Sequence, residues 1–123
     1  HMAPAVQTLR AEADAIQPGS PTVTLISNAD GAIVGTTVVE QFEQALGNLV
    51  TALRAAGGTP ADLVGLTIYI VDIDDYRAHS RELGRVWKRL IGDSYPAVAG
   101  IGVTRLWDAE ALVEVQGTAC VAG

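Results

Sequence analysis

Few side chains in this sequence can do chemistry, and the most informative is Glu114, an acid between Val113 and Val115 in a stretch where apolar and polar residues alternate. In a strand that alternation puts Leu112, Glu114, Gln116, Thr118 and Cys120 on one face and Val113, Val115, Gly117, Ala119 and Val121 on the other. A carboxylate on a partly buried face has its pKa raised by desolvation unless a cation or several donors hold it ionised, and a raised pKa suits proton transfer near neutral pH. The plainer reading is a strand carboxylate that is exposed or paired at an interface. Gln116 could orient a water or an amide with its donor and acceptor, or face solvent. Cys120 has no base or cation near it in sequence and reads as a packing residue.

Other reactive types are scarce. His1-Met2 reads as a cloning remnant, which leaves His79 as the one native histidine and excludes any mechanism that needs two. One cysteine makes no internal disulfide and, without a Cys or His cluster, no zinc site, so neither metal nor cofactor is called for. Arg77, Arg81 and Arg85 recur at every fourth position. Asp72, Asp74, Asp75 and Glu82 lie close enough to offset them, and a solvated helix face is the better reading of the stripe. No G-x-G-x-x-G, P-loop, G-x-S-x-G or H-E-x-x-H motif occurs. Val98, Gly100 and Gly102 share one strand parity, which suits either close sheet packing or a ligand approaching bare backbone.

Eight Lys plus Arg against fourteen Asp plus Glu give 123 residues a formal charge of −6, which makes nucleic acid and anionic lipid poor partners. No apolar run approaches the roughly 20 residues that span a bilayer, and the N-terminus lacks the order of a signal peptide, so a cytoplasmic protein is expected. With 49% hydrophobic but only 5% aromatic residues on a short chain, some apolar surface is expected to be covered by another subunit.

These residues must be positioned by a short run of elements. Candidate strands lie at Val6 to Arg10 and Thr22 to Ser27, separated by the turn cluster Pro18-Gly19-Ser20-Pro21. Ala32 to Gly35 is a strand or strand end. Thr37 with Glu40 three residues on forms a capping-box pattern, followed by apolar residues at helical spacing from Val39 to Ala56 and the stop Gly57-Gly58. Leu66 to Val71 reads as a central strand, Tyr76 to Ile91 as a second helix, and Ala97 to Thr104 and Ala111 to Val121 as the last two strands. The order ββαβαββ predicts an α+β fold, a single sheet with two helices packed on one face, forming one domain over residues 3–123. The mixed outer sheet face is the expected subunit interface.

Glu40-Gln-Phe-Glu-Gln-Ala-Leu-Gly-Asn-Leu49, Ala55-Ala-Gly57, Leu66-Thr-Ile-Tyr-Ile-Val-Asp72, Asp75-Tyr76, Tyr95-Pro-Ala97 and Val113-Glu-Val-Gln116 together resemble the RidA (YjgF) family of reactive intermediate deaminases. The resemblance spans about Gly31 to Val121. It implies a chorismate-mutase-like homotrimer with a small-molecule ligand cleft at each subunit boundary, and no cofactor. Family members that hydrolyse enamines or imines carry Pro-Ala-Arg-Ser before the penultimate strand, the Arg gripping the substrate carboxylate; this chain reads Pro96-Ala97-Val98-Ala99. Valine cannot replace that bidentate grip.

By the same resemblance Glu114 matches the acid that positions the hydrolytic water, Gln116 stands where a second acid is usual, Ser80 where an Asn is frequent, and Ser27-Asn28-Ala29 where Ser-Gly-Gln is usual. The implied site is Glu114 as catalytic acid/base, with Val98, Ala99, Gly100, Ser80, Gln116 and Asn28 binding substrate. The expected activity is that of a divergent hydrolase or tautomerase acting on a reactive enamine, imine or related carbonyl intermediate. The alternative is a non-catalytic trimer that binds a small ligand. Ribonuclease activity, claimed for some relatives, would have only the arginine stripe to support it.

Overall fold

Thr37 starts the first helix as its spacing predicts. In the structure, a computed structural model describing residues 22–26 and 35–121, the Thr37 hydroxyl accepts from the Glu40 amide at 3.2 Å and the Glu40 carboxylate accepts from the Thr36 and Thr37 amides at 3.0 and 3.1 Å. This capping box opens α1 (Val38–Ala55). Its stripe Phe42, Leu46, Leu49 and Leu53 is buried at 2% exposure or less, which makes it the densest part of the core. The helix stops where Gly57 takes φ +90°, a conformation that costs glycine little, and the Gly58 amide bonds back to the Leu53 carbonyl at 2.9 Å.

The strands are β1 (Thr22–Ile26), β2 (Leu63–Ile70), β3 (Ala97–Gly102) and β4 (Val113–Cys120). They form one sheet in the order β1-β4-β2-β3, with β3 parallel to β2 at one edge and the other neighbours antiparallel. β2 begins three residues earlier than its β-branched run suggests. The Asp62 carboxylate accepts from the Thr59 amide at 2.7 Å and closes a turn at Pro60–Asp62, so the chain is already extended at Leu63, and a bulge between Leu63 and Gly65 absorbs the mismatch with β4.

The expected second helix, Tyr76 to Ile91, is instead two pieces, α2 (Ile73–Ala78) and α3 (Ser80–Leu90). Asp72 starts α2 early by accepting from the Asp75 amide at 3.1 Å. The break falls at His79 (φ −106°, ψ 22°), whose amide bonds the Tyr76 carbonyl in a tighter turn while its ring Nδ1 meets the Asp75 carbonyl at 2.9 Å and Ser80 Oγ donates to the Arg77 carbonyl. Side chains thus take the carbonyls that a continuous helix would have used.

Leu49 on α1 packs over Gly117 of β4 in one core with Val115, and Leu83 and Val86 of α3 join the same core, so the helices cover one face of the sheet as expected. The candidate strand at Val6 to Arg10, the segment Ala32 to Val34 and Ser27 lie outside the described residues.

Candidate functional site

The sheet register decides which candidate residues can meet. Val115 pairs with Ile68, and Ile68 with Gly100; all three lie on the helix-covered face, where a side chain at Gly100 would touch Ile70. One residue along, Glu114 pairs with Tyr69 and Tyr69 with Ile101, and Gln116 pairs with Thr67 and Thr67 with Ala99, all on the outer face. Val98 and Gly100 therefore point toward the helices, and Ala99 points away from them.

On the outer face, the Tyr69 hydroxyl donates to Gln116 Oε1 at 3.3 Å. Gln116 is buried, 5% exposed, and lines a hollow of about 300 Å³ with Gly65, Leu66, Thr67, Ala97, Val98, Ala99 and Thr118, the edge residue Val98 reaching it as well as the helix side. Its amide Nε2 is cut off from solvent and unpartnered. Glu114 is half-buried next to this group. Burial pushes its carboxyl above the ordinary value of 4.5, and the negative charge of Asp108 adds to the shift. The direction of the shift is the one that would favour proton exchange by a carboxyl closer to neutrality.

On the helix face, a second cavity of about 390 Å³ opens beside the edge strand, walled by Phe42, Tyr76, Ser80, Leu83, Trp87, Tyr95 and Val98. Tyr76 stands edge-on to Phe42 with ring centroids 6.0 Å apart, and Trp87 stacks on Tyr95 at 6.4 Å. α3 contributes Ser80 and Trp87, the loop before β3 contributes Tyr95, and β3 contributes Val98.

The site residues thus fall into two groups, Ser80 in the aromatic cavity and Glu114, Gln116 and Ala99 on the outer face, with Val98 at the sheet edge lining both hollows and Gly100 presenting only backbone. Among the described residues the side chains of Glu114 and Val98 do not meet, because β2 lies between β3 and β4 and the two leave the sheet in opposite directions. Asn28 lies outside the described residues. Arg77, Arg81 and Arg85 are exposed, while Arg89 bridges to Glu43 of α1 at 3.1 Å and Lys88 pairs with Asp93. This is a solvated helix face tied at one end to α1. Among the described residues, no group of three or more His, Cys, Asp or Glu side chains is placed to hold a metal ion, and no helix is long and apolar enough to cross a membrane.

One positioning residue escaped the sequence reading. Gln41, 6% exposed, donates from Nε2 to the carbonyls of Gly35 at 3.2 Å and Glu110 at 3.0 Å and accepts from the Leu112 amide at 2.7 Å. The amide clamps the entry to β4 two residues before Glu114. Its only sequence signal is a polar residue on the buried side of an amphipathic helix.

Residues 22–121 match the family model described as Endoribonuclease L-PSP. The chain is 30% identical over 89 residues to a RutC family protein of Pyrococcus horikoshii, covering 72% of this chain and 67% of that protein. It is 36% identical over 78 residues to the 2-iminobutanoate/2-iminopropanoate deaminase of Capra hircus, covering 63% and 54%. The matched stretches thus span between half and about two thirds of these relatives. Among solved structures, a Rid family protein of Yersinia pestis superposes with a TM-score of 0.70 at 33% identity, covering 84% of this chain and 81% of that one.

Proposed function

From the premise that this chain belongs to the endoribonuclease L-PSP family, the RidA or YjgF proteins, we propose that it is a hydrolase or tautomerase acting on a reactive imine, enamine or related carbonyl compound. The observation that carries this reading is Glu114, a half-buried carboxyl whose pKa is raised by its surroundings, on a sheet face with a buried, half-satisfied Gln116 beside it. In the hydrolytic step Glu114 takes a proton from a water as the water oxygen bonds to the imine carbon and passes it to nitrogen, giving a carbinolamine. It then takes the proton of the new hydroxyl and delivers it to nitrogen as the carbon–nitrogen bond breaks, so that imine and water become carbonyl compound and ammonia. In the tautomerase variant the same carboxylate moves a proton between carbon and nitrogen or oxygen.

The working assembly is a homotrimer in which the cleft lies between copies. Support comes from the division of site residues between two faces of one chain, and from the edge strand β3, exposed at all six residues including Val98 and Ile101. A neighbour packed against this edge would bring one copy's outer face toward the next copy's aromatic cavity, with Val98, Ala99, Gly100, Ser80, Gln116 and Asn28 as the substrate-binding set. One domain over residues 3–123 and a cytoplasmic location belong to the same reading.

Val98, where the grip on a carboxylate would be expected, also favours a second reading, a ligand-binding trimer without turnover. Freshly generated imines, with and without a carboxylate, assayed for ammonia release by the wild-type chain and Glu114→Gln, separate the two. Release above buffer that Glu114→Gln abolishes supports hydrolysis; no acceleration of ammonia release or tautomerisation leaves the binding reading, and turnover untouched by Glu114→Gln removes Glu114 from the role.

A further inference from the structure

The aromatic cavity carries more information than its position. Four of its walls are rings, Phe42, Tyr76, Trp87 and Tyr95, and no charged side chain among the described residues lines it. Val98 stands at its mouth, half-exposed at 48%. A carboxylate entering here would lose water and meet no cation, a heavy cost, whereas a planar ring would gain offset or edge-on contacts with every wall.

Two of the lining residues carry polar atoms that matter. The indole Nε1 of Trp87 is cut off from solvent and has no acceptor. Most buried donors in folded proteins are paired, so an orphan in a cavity wall is a group waiting for a partner. Tyr95, stacked on Trp87 but 74% exposed, is the wall freest to move aside and admit one. The second atom is Ser80 Oγ, which spends its proton on the Arg77 carbonyl and keeps lone pairs to accept with. With Tyr95 displaced, the cavity would offer one donor and one acceptor within an aromatic enclosure.

We propose that this cavity selects an uncharged, planar aromatic or conjugated molecule bearing an adjacent acceptor and N–H donor, such as an aryl imine, enamine or amide, held by its ring among the four aromatic walls and by its acceptor on Trp87 Nε1–H. The inference rests on the reading of this cavity as the substrate cleft and names the substrate class. Exchange of a cationic fork for Val98 is then a change of specificity toward neutral substrates.

The test uses benzamide and benzoate, the same ring with and without charge, titrated calorimetrically into the whole assembled protein. Benzamide is expected to saturate, with benzoate at least tenfold weaker. Trp87→Phe, which keeps a ring and removes the N–H, weakens benzamide about three- to tenfold. Val98→Arg, at a half-exposed position, inverts the ranking. Equal binding of the two probes, binding of neither, or benzamide affinity unmoved by Trp87→Phe overturns the proposal; should Trp87→Phe not fold, an unchanged ranking in Val98→Arg overturns it. Because these are binding measurements, ring-selective binding without ammonia release sinks the hydrolase reading alone, and Glu114-dependent release with indifferent binding sinks the aromatic-substrate proposal alone.

Discussion

Val98 and Glu114 lie on opposite faces of one sheet, on β3 and β4 with β2 between them. A strand residue is committed to its face by a period of two, and no side-chain rotation carries it through the sheet. In the proposed trimer, a ligand that touches both side chains would sit where one copy's outer face meets another copy's edge strand, and the chemistry would be tied to assembly.

The raised pKa of Glu114 gives a pH dependence with a definite sign. Acting as a base, the group must be ionised, so turnover should fall as pH drops through its folded value, which lies above 4.5. Asp108→Asn removes the like charge and should move that acid limb to lower pH, while Glu114→Gln should cost about a hundredfold or more in kcat. A limb that stays in place in Asp108→Asn would show that the titrating group is another one.

Stability runs the other way. A carboxyl whose folded pKa is raised binds its proton more tightly in the fold than in the unfolded chain, so its contribution favours the fold at low pH and is lost as pH rises from 4.5 through the folded value. Urea midpoints of the wild type and Glu114→Gln, compared over roughly pH 4 to 8, should show the variant gaining on the wild type as pH rises. A variant that instead loses ground to the wild type as pH rises contradicts the burial argument.

Gln41 should matter for stability and for the site together. Gln41→Leu keeps an apolar stem but leaves the Gly35 and Glu110 carbonyls and the Leu112 amide without the partners they have in the fold, which predicts a loss of about 2–4 kcal/mol in denaturant unfolding. Gln41→Glu restores only the acceptor and should recover part of it. If Gln41→Leu is as stable as the wild type, water reaches those groups and the clamp is unimportant.

The capping box offers a more local check. Thr37→Ala removes the acceptor for the Glu40 amide and should cost about 1 kcal/mol, with Thr37→Ser nearly neutral.

That box was legible in the sequence because its parts are three residues apart, and the same holds for the Gly57-Gly58 stop and the alternation of β4. Local patterns report local geometry. The break at His79 was missed because an apolar stripe from Tyr76 to Ile91 keeps its period across it, while the bonds that cause the break belong to Asp75, Ser80 and the backbone of Arg77. Gln41 was missed because its partners lie 69 and 71 residues away. The separation of Val98 from Glu114 was hidden for a third reason: each strand's alternation is visible by itself, but which of its faces joins which face of the next strand is set by pairing through β2.

The same separation makes a mixing experiment decisive. Val98→Trp should fill the aromatic cavity and stop turnover, and Glu114→Gln should stop it through the outer face, so each chain alone is inactive. If the working cleft takes its cavity from one copy and its carboxylate from the next, a trimer assembled from both variants contains clefts built from the intact Val98 of one chain and the intact Glu114 of the other. Random assembly from equal amounts after unfolding and refolding together should restore about a quarter of wild-type activity, since each half of a cleft is intact half the time. Sedimentation of the same sample reads the oligomeric state independently. Recovery requires a shared cleft, because a cleft built within one chain would carry one lesion in every copy; a refolded trimer with no activity would place both residues' roles within a single chain and sink the shared-cleft reading.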